Sequence, residues 1–195
     1  FEVIVSDNQS VDGSAEMVAQ KYSRVIWIQN QENLGFGRAN NKGLEIASGK
    51  YVFLLNSDTI LLNNAILLFY DYMEKQSGNV GVAGCRLVDA QGKTAISSGE
   101  FPSALSDIRY MAGRIFRCKQ AGQLVSESAT EVDFVSGADM FIPASVLRET
   151  GFFDEQFFMY FEETDLPKRM QLKGYKRVLI PGPAIVHLEG GSLEQ

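Results

Sequence analysis

The chain has 195 residues, with 18 Lys plus Arg against 24 Asp plus Glu and a net charge of −6 at pH 7. Hydrophobic residues make up 45% and charged ones 22%, values that exclude a disordered chain and fit a single globular domain. The acidic balance without a basic run excludes general nucleic-acid binding, two cysteines (Cys85 and Cys118) exclude a disulfide framework or zinc cluster, and no apolar stretch reaches the ~20 residues of a membrane span.

Val3-Ile4-Val5 is a strand that ends in the polar turn Ser6-Asp7-Asn8-Gln9-Ser10. The chain opens inside this strand, with no Met and no polar lead, so the first strand of the domain is expected upstream of Phe1. Asp12-Gly13-Ser14 offers a cap for a helix through Ala15, Met17, Val18 and Tyr22. The strand Val25-Ile26-Trp27-Ile28 leads into a loop from Asn30 to Gly37. A helix from about Arg38 to Ala47 follows, closed by Gly49 as a C-terminal cap. Tyr51-Val52-Phe53-Leu54-Leu55 is a continuous apolar run of strand length, which predicts a central strand of a parallel sheet, buried on both faces. Strand–helix–strand–helix–strand at this spacing means βαβ units with right-handed crossovers, hence an α/β fold.

The second half is less regular. A helix over about Ala65 to Glu74 precedes the strand Val80-Gly81-Val82-Ala83-Gly84. Residues 92–130 are Ser- and Gly-rich and weakly patterned, with one helical stretch near Asp107–Phe116. The pattern then sharpens into strands at Val132–Val135 and Met140–Pro143, helices at Ala144–Thr150 and Asp165–Lys173, and a strand at Lys176–Ile180.

Four clusters can carry chemistry. Asp7-Asn8-Gln9-Ser10 lies beyond the carboxyl end of a strand, where open α/β sheets bind ligands, although Asp, Asn and Ser also serve plain turns. Asp58, in Asn56-Ser57-Asp58-Thr59, ends the apolar run and can ligate a hard divalent cation or cap the next helix. The segment from Phe152 to Asp165 sets five carboxylates among seven aromatic or Met side chains. Carboxylates in an apolar wall can act as general acids or bases, and Glu162 or Asp165 can instead cap the following helix. His187 is the only histidine; it is either a satisfied structural residue or a metal ligand with Asp58 as its partner. Gly35-Phe36-Gly37 lacks the third glycine of G-x-G-x-x-G, and neither a P-loop nor a G-x-S-x-G elbow occurs, which disfavours dinucleotide enzymes, P-loop NTPases and α/β-hydrolases.

Taken in order, these segments resemble the family-2 glycosyltransferases, and most closely their bacterial rhamnosyltransferase-like branch. The matching stretches are Val5 to Ser14, Asn33 to Asn41, Leu54 to Thr59, Val135-Ser136-Gly137-Ala138, Gly151 to Leu166, and Val186-His187. The resemblance implies a GT-A fold, a Rossmann-like and mostly parallel central sheet flanked by helices. It divides the single truncated domain 1–195 into a nucleotide-sugar-binding half, 1–84, and an acceptor-binding and catalytic half, 85–195.

Carried over residue by residue, the resemblance makes Asp7 the carboxylate that reads the nucleotide base. Asn33, Gly35, Arg38 and Asn40 become the lining of the ribose and diphosphate. Asp58 stands at the last Asp of the D-x-D signature, whose first Asp is Asn56 here. His187 is then the second protein ligand of a divalent metal, Mg²⁺ or Mn²⁺. Glu163 takes the place of the catalytic base, with Glu162 and Asp165 supporting the acceptor or the loop. The implied reaction is an inverting transfer of a hexose or deoxyhexose, rhamnose among them, from a nucleotide-diphosphate donor to a hydroxyl of a cell-surface glycan or lipid-linked acceptor. A single displacement needs no enzyme nucleophile, consistent with the lack of an activated Ser or Cys. The expected location is the cytoplasm, at the inner face of the plasma membrane where segments outside this chain allow it. The alternative is a nucleotide-sugar-binding module that has lost catalysis and binds a partner.

Overall fold

The computed structural model describes residues 1–102 and 128–188. The helix expected near 107–116 and Cys118 lie outside the described residues.

Strands β1 (Val3–Asp7) and β2 (Val25–Gln29) pair in parallel, Asp7 opposite Gln29, with helix α1 (Ser14–Lys21) as their crossover. Helix α2 (Gly35–Ile46) follows, then β3 (Tyr51–Leu55), the short β4 (Thr59–Leu61), α3 (Ala65–Lys75) and the long β5 (Val80–Val88). Short strands β6 (Ser98–Gly99), β7 (Thr130–Glu131) and β8 (Phe134–Val135) lead to β9 (Asp139–Pro143). Helices α4 (Ala144–Thr150) and α5 (Glu162–Leu172) precede the closing strand β10 (Lys176–His187).

The main sheet has six strands in the order β3-β9-β5-β10-β4, with β7 paired to β10, while β1 and β2 form a two-stranded sheet of their own. Among the described strands of the main sheet only β5 and β10 pair in parallel; β9 pairs antiparallel with both β3 and β5, as do β4 and β7 with β10. The α/β architecture thus holds, but the sheet is mixed where a mostly parallel one was expected. The reason is β9, which returns between β3 and β5 and reverses the direction at the middle of the sheet. β3 accordingly pairs with β9 alone among the described residues and is only half-buried over most of its length. The strand expected in the centre stands at one end of the six.

Two apolar layers sandwich this sheet, and the period-2 alternation of the strands feeds both. Phe141 on β9, with Ala83 and Cys85 on β5, faces α3, where Phe69 stacks on Phe141 at 5.4 Å and 9°. Met140 and Ile142 on β9 and Val82 on β5 face the other way, onto Leu44 of α2, Val146 and Leu147 of α4, and Leu166 and Met170 of α5. Phe69 is fully buried, so truncating it to Ala would cost about 3–5 kcal/mol. By contrast α1 contributes no buried residue.

Candidate active site

The carboxyl ends of β1 and β3, the β8–β9 turn, the start of α5 and the last residue of β10 converge on one end of the molecule. Hydrogen bonds between chain segments far apart in sequence make this convergence.

At the end of β1, Asp7 is buried; its Oδ2 accepts the Ser10 N–H at 2.9 Å and the Gln29 amide at 2.5 Å. Burial pushes the carboxyl up, but the hydrogen bonds from Ser10 and Gln29 outweigh it and hold Asp7 below the ordinary Asp range. Next to it, Asn8 ties the following loop to the strand. Its Oδ1 accepts from Asn30 Nδ2 at 3.1 Å and Leu34 N at 3.3 Å, and its Nδ2 donates to the Gly35 carbonyl at 3.1 Å. Asn33 turns back on the same loop, its Oδ1 accepting the Gly35 N–H at 2.9 Å.

This loop opens α2, which begins at Gly35, three residues before the expected Arg38. Gly35 has φ +78° and lies so close to the aromatic segment that a Cβ there would stand 2.0 Å from the Phe158 carbonyl oxygen. Only glycine fits on both counts. The Phe36 N–H donates to that carbonyl at 3.2 Å, Arg38 Nε donates to the Glu155 carbonyl at 2.8 Å, and Asn41 holds Phe153 through both its amide atoms at 2.9 and 3.0 Å. Asn40 instead donates back to the Phe36 carbonyl within its own helix at 2.9 Å. Arg38 and Gly35 therefore join the loop before α2 to the segment that precedes α5. Gly49 is not the cap of α2: the helix ends at Ile46 and its cap is Ala47, whose backbone is extended at φ −65° and ψ 130°.

Asp58 and His187 meet. The antiparallel pairing of β4 with β10 sets His187 opposite Thr59, the Leu188 N–H donates to the Asp58 carbonyl at 2.9 Å, and His187 Nε2 lies 3.3 Å from Asp58 Oδ1. The residue after Asp58 starts a strand, not a helix, and α3 is capped by Asn64, so Asp58 is not a helix cap. A carboxylate oxygen and an imidazole nitrogen side by side at a strand end could together hold a divalent cation.

The Asn56 N–H donates to the Ala138 carbonyl at 3.2 Å, which places the Asn56-to-Thr59 turn against Ser136-Gly137-Ala138. Gly137 in turn packs on the helix that carries the acids: a Cβ there would meet the Phe36 ring at 3.1 Å and Glu163 Cβ at 3.5 Å. Glu163 is half-buried on the first turn of α5 and thus faces the same turn that holds Asn56. Pro167 inside α5 has no N–H to offer the Glu163 carbonyl one turn back. Glu162 is 2% exposed, its Oε2 lacks a partner among the described residues, and burial raises its carboxyl above the usual Glu range. Glu162 also accepts the Tyr160 N–H. Asp165 faces elsewhere and pairs with Arg169 at 2.8 Å.

α5 starts at Glu162 rather than Asp165, and neither acid caps it. The cap position is Phe161, left-handed at φ 70° beside Tyr160 at φ 68°. Bulky residues in that region are genuine outliers and accumulate at functional sites. Sequence reasoning gave Asn8 only as a member of a polar cluster and assigned no individual role to Gln29, Asn30 or Asn41. Their signal was faint, since an Asn in a loop or helix reads as turn chemistry until its distant partner is seen.

A family model described as Glycosyl transferase family 2 matches residues 1–129. The chain is 25% identical over 202 residues to the N-acetylglucosaminyl-diphospho-decaprenol L-rhamnosyltransferase of Mycobacterium tuberculosis (strain ATCC 25618 / H37Rv), covering 95% of this chain and 66% of that protein. It is 26% identical over 196 residues to the rhamnosyltransferase WbbL of Escherichia coli K12, covering 96% of this chain and 72% of that one. Among solved structures, GalNAc-T7 with UDP, GalNAc and Mn²⁺ superposes with a TM-score of 0.67 at 14% identity, over 97% of this chain and 38% of that one. The mannosyltransferase PcManGT of Pyrobaculum calidifontis with GDP-Man and Mn²⁺ gives 0.64 at 16%, over 95% and 47%.

Proposed function

We propose, from the premise that the chain belongs to glycosyl transferase family 2, that it transfers a sugar from a nucleotide-diphosphate donor to a hydroxyl of a glycan or lipid-linked acceptor, with inversion at the anomeric carbon. The observation that carries this reading is the contact of Asp58 with His187 beside a turn that also packs on Glu163. Rhamnose is the favoured sugar, from the names of the mycobacterial and Escherichia coli relatives. The chain spans 66% of the mycobacterial relative's length, and the acceptor of the whole protein is proposed by analogy as a lipid-diphosphate-linked sugar, met at the inner face of a membrane. No described helix is long and apolar enough to cross one.

In this reading residues 1–84 hold the donor and 85–195 the acceptor and base. Asp7 binds the nucleotide base, while Asn33, Gly35, Arg38, Asn40 and Asn56 line the ribose and diphosphate. Asp58 and His187 hold Mg²⁺ or Mn²⁺, which when bound neutralises the charge that builds on the leaving diphosphate. Glu163 takes the proton of the acceptor hydroxyl as its oxygen bonds to the anomeric carbon; the bond to the diphosphate oxygen breaks, and its electron pair leaves with the nucleotide. Glu162 and Asp165 fix the loop and helix that carry Glu163. The test is calorimetric titration of nucleoside diphosphates with and without Mn²⁺, followed by a transfer assay with a panel of nucleotide sugars. Mn²⁺ should tighten binding at least tenfold, and Asp58→Ala should abolish that gain. Nucleotide binding that ignores Mn²⁺ and is unchanged in His187→Ala would overturn the metal assignment.

A further inference from the structure

Three side chains are hydrogen-bonded in series along one face of the β1–β2 pair. The register sets Trp27 opposite Val5 and Gln29 opposite Asp7, and the alternation of strand side chains puts all four on the same side. Trp27 Nε1 donates to Gln29 Oε1 at 3.0 Å, and Gln29 Nε2 donates to Asp7 Oδ2 at 2.5 Å. The order admits no reversal. An indole N–H can only donate and an ionised carboxylate can only accept, so the Gln29 amide has one orientation that satisfies both neighbours. The same Nε2 also leans on the Asn30 carbonyl at 3.5 Å.

Ser10 and Gln9, which also donate to Asp7, belong to its own turn, where Gln9 is left-handed at φ 68°. Donors within that turn move with it. Gln29 stands on the neighbouring strand, so its hydrogen bond ties the carboxylate to the sheet and stops it rotating about its last side-chain bond. Gln29 is exposed and Trp27 half-buried, and neither belongs to the two apolar layers of the main sheet. Packing therefore does not account for the pair. Hydrogen bonds from neutral donors to an ionised acceptor are among the stronger ones, and they keep Asp7 in the acceptor-only state that a base N–H requires.

Resting on the reading of Asp7 as the carboxylate that meets the nucleotide base, we infer that Gln29 is a positioning residue for that contact: it fixes the plane of the Asp7 carboxylate, and Trp27 in turn fixes Gln29. The direction in which Asp7 presents its oxygens is then set before the nucleotide arrives, and no binding energy goes into ordering it. Trp27 is the single tryptophan of the chain. A base N–H that takes hold of Asp7 draws on the same carboxylate as Gln29, so the disturbance passes along the series to the indole. The protein thus carries its own optical reporter of base occupancy.

The test titrates the full-length protein with uridine, thymidine and guanosine diphosphates and with inorganic pyrophosphate, each with Mg²⁺, by calorimetry and by tryptophan fluorescence. Gln29→Leu should weaken the best-bound nucleoside diphosphate by about tenfold, the worth of a hydrogen bond to a charged group. Pyrophosphate, which has no base, should bind it as it binds the parent, which also shows that the variant is folded. Gln29→Glu keeps the shape and the acceptor for Trp27. Protonated, its carboxyl donates to Asp7 as the amide does; ionised, it repels Asp7. Two carboxyls sharing a proton titrate above the ordinary range, so its nucleotide affinity relative to the parent should be near unity at about pH 5 and fall towards about pH 8. Trp27 fluorescence should respond to the nucleoside diphosphate and not to pyrophosphate, and the response should vanish in Gln29→Leu. Parental nucleotide affinity in Gln29→Leu, an equal loss for pyrophosphate, or a flat pH profile in Gln29→Glu would overturn the role of Gln29; a silent indole would remove Trp27 from it. Failure of the wider reading looks different: Asp7→Asn would bind nucleoside diphosphates as the parent does, and the roles of Asp7 and Gln29 would fall together. If Asp7→Asn weakens binding and Gln29→Leu does not, Gln29 alone is misassigned.

Discussion

Asp139 and Glu162 each bury a carboxylate oxygen that has no partner among the described residues, but their settings differ. Asp139 lies under the sheet end, with Oδ2 accepting the Cys85 N–H at 2.7 Å, and burial pushes its carboxyl up to about 8. The unfolded chain ionises this group near 3.8, so between pH 3.8 and about 8 only the unfolded state gains from losing the proton. Its contribution to stability is whole below pH 3.8 and is lost as pH rises to about 8, beyond which both states are ionised. Asp139→Asn keeps the acceptor and removes the titration. Its melting temperature should match the parent near pH 4 and exceed it by several degrees or more near pH 8. A constant difference across that range would mean that Asp139 is not held neutral. Glu163 makes the other prediction at this scale. Glu163→Gln should lower turnover by about 10²–10⁴-fold with nucleotide affinity unchanged, while Glu162→Gln and Asp165→Asn act through folding of the loop. Parental turnover in Glu163→Gln would move the base to another carboxylate. Asp58, His187 and the acid pair could be picked out from sequence because each sits at the end of a patterned run. The role of Asp139 could not, because it depends on which residues of β5 face it.

At the scale of elements, the joint between α2 and the segment before α5 is the feature that composition hides. Asn41 is buried and binds the Phe153 backbone twice across 112 positions, and Gly37 lets α2 approach so that a Cβ there would lie 3.1 Å from Phe153 Cβ. Asn41→Ala leaves one buried N–H and one buried carbonyl unpaired, which costs about 1–3 kcal/mol each. It should lower the melting temperature by several degrees and raise the acceptor KM more than the donor KM; equal effects on both would mean a purely structural role. The boundaries of β3 and α4 agree with the sequence reading to the residue, since each is a clean apolar run or a helix after proline. The short strands β4, β6 and β7 and the second part of β10 escaped it. β4 is only three residues long, and β10 continues past the expected Ile180 through Pro181-Gly182-Pro183, residues that do not read as strand interior. The register shift against β5 between Ile180 and Ile185 accommodates these prolines, so the strand resumes and delivers His187. The early start of α5 was equally hidden, because its cap is a left-handed phenylalanine and not one of the usual polar caps.

Over the whole molecule, packing is uneven. β5, β9 and β10 lie between two apolar layers, whereas among the described residues β1 and β2 pair only with each other and carry α1, which has no buried residue. Amide hydrogen exchange should therefore open β1, β2 and α1 at a lower free energy than β5 and β9, and a nucleoside diphosphate that binds through Asp7 should narrow the gap. Uniform protection across both sheets would contradict this. The closing of β4 on β10 has a further consequence, one of timing. It joins Asp58 to a residue near the far end of the described chain, and long loops are the slowest to close. The end of the sheet where Asp58 meets His187 is thus assembled late among the described elements. A chain whose β10 has not yet been made already carries Asp58 and its turn but lacks the His187 that meets it, so under the proposed function the place for a donor diphosphate is completed only once β10 has been added to the sheet.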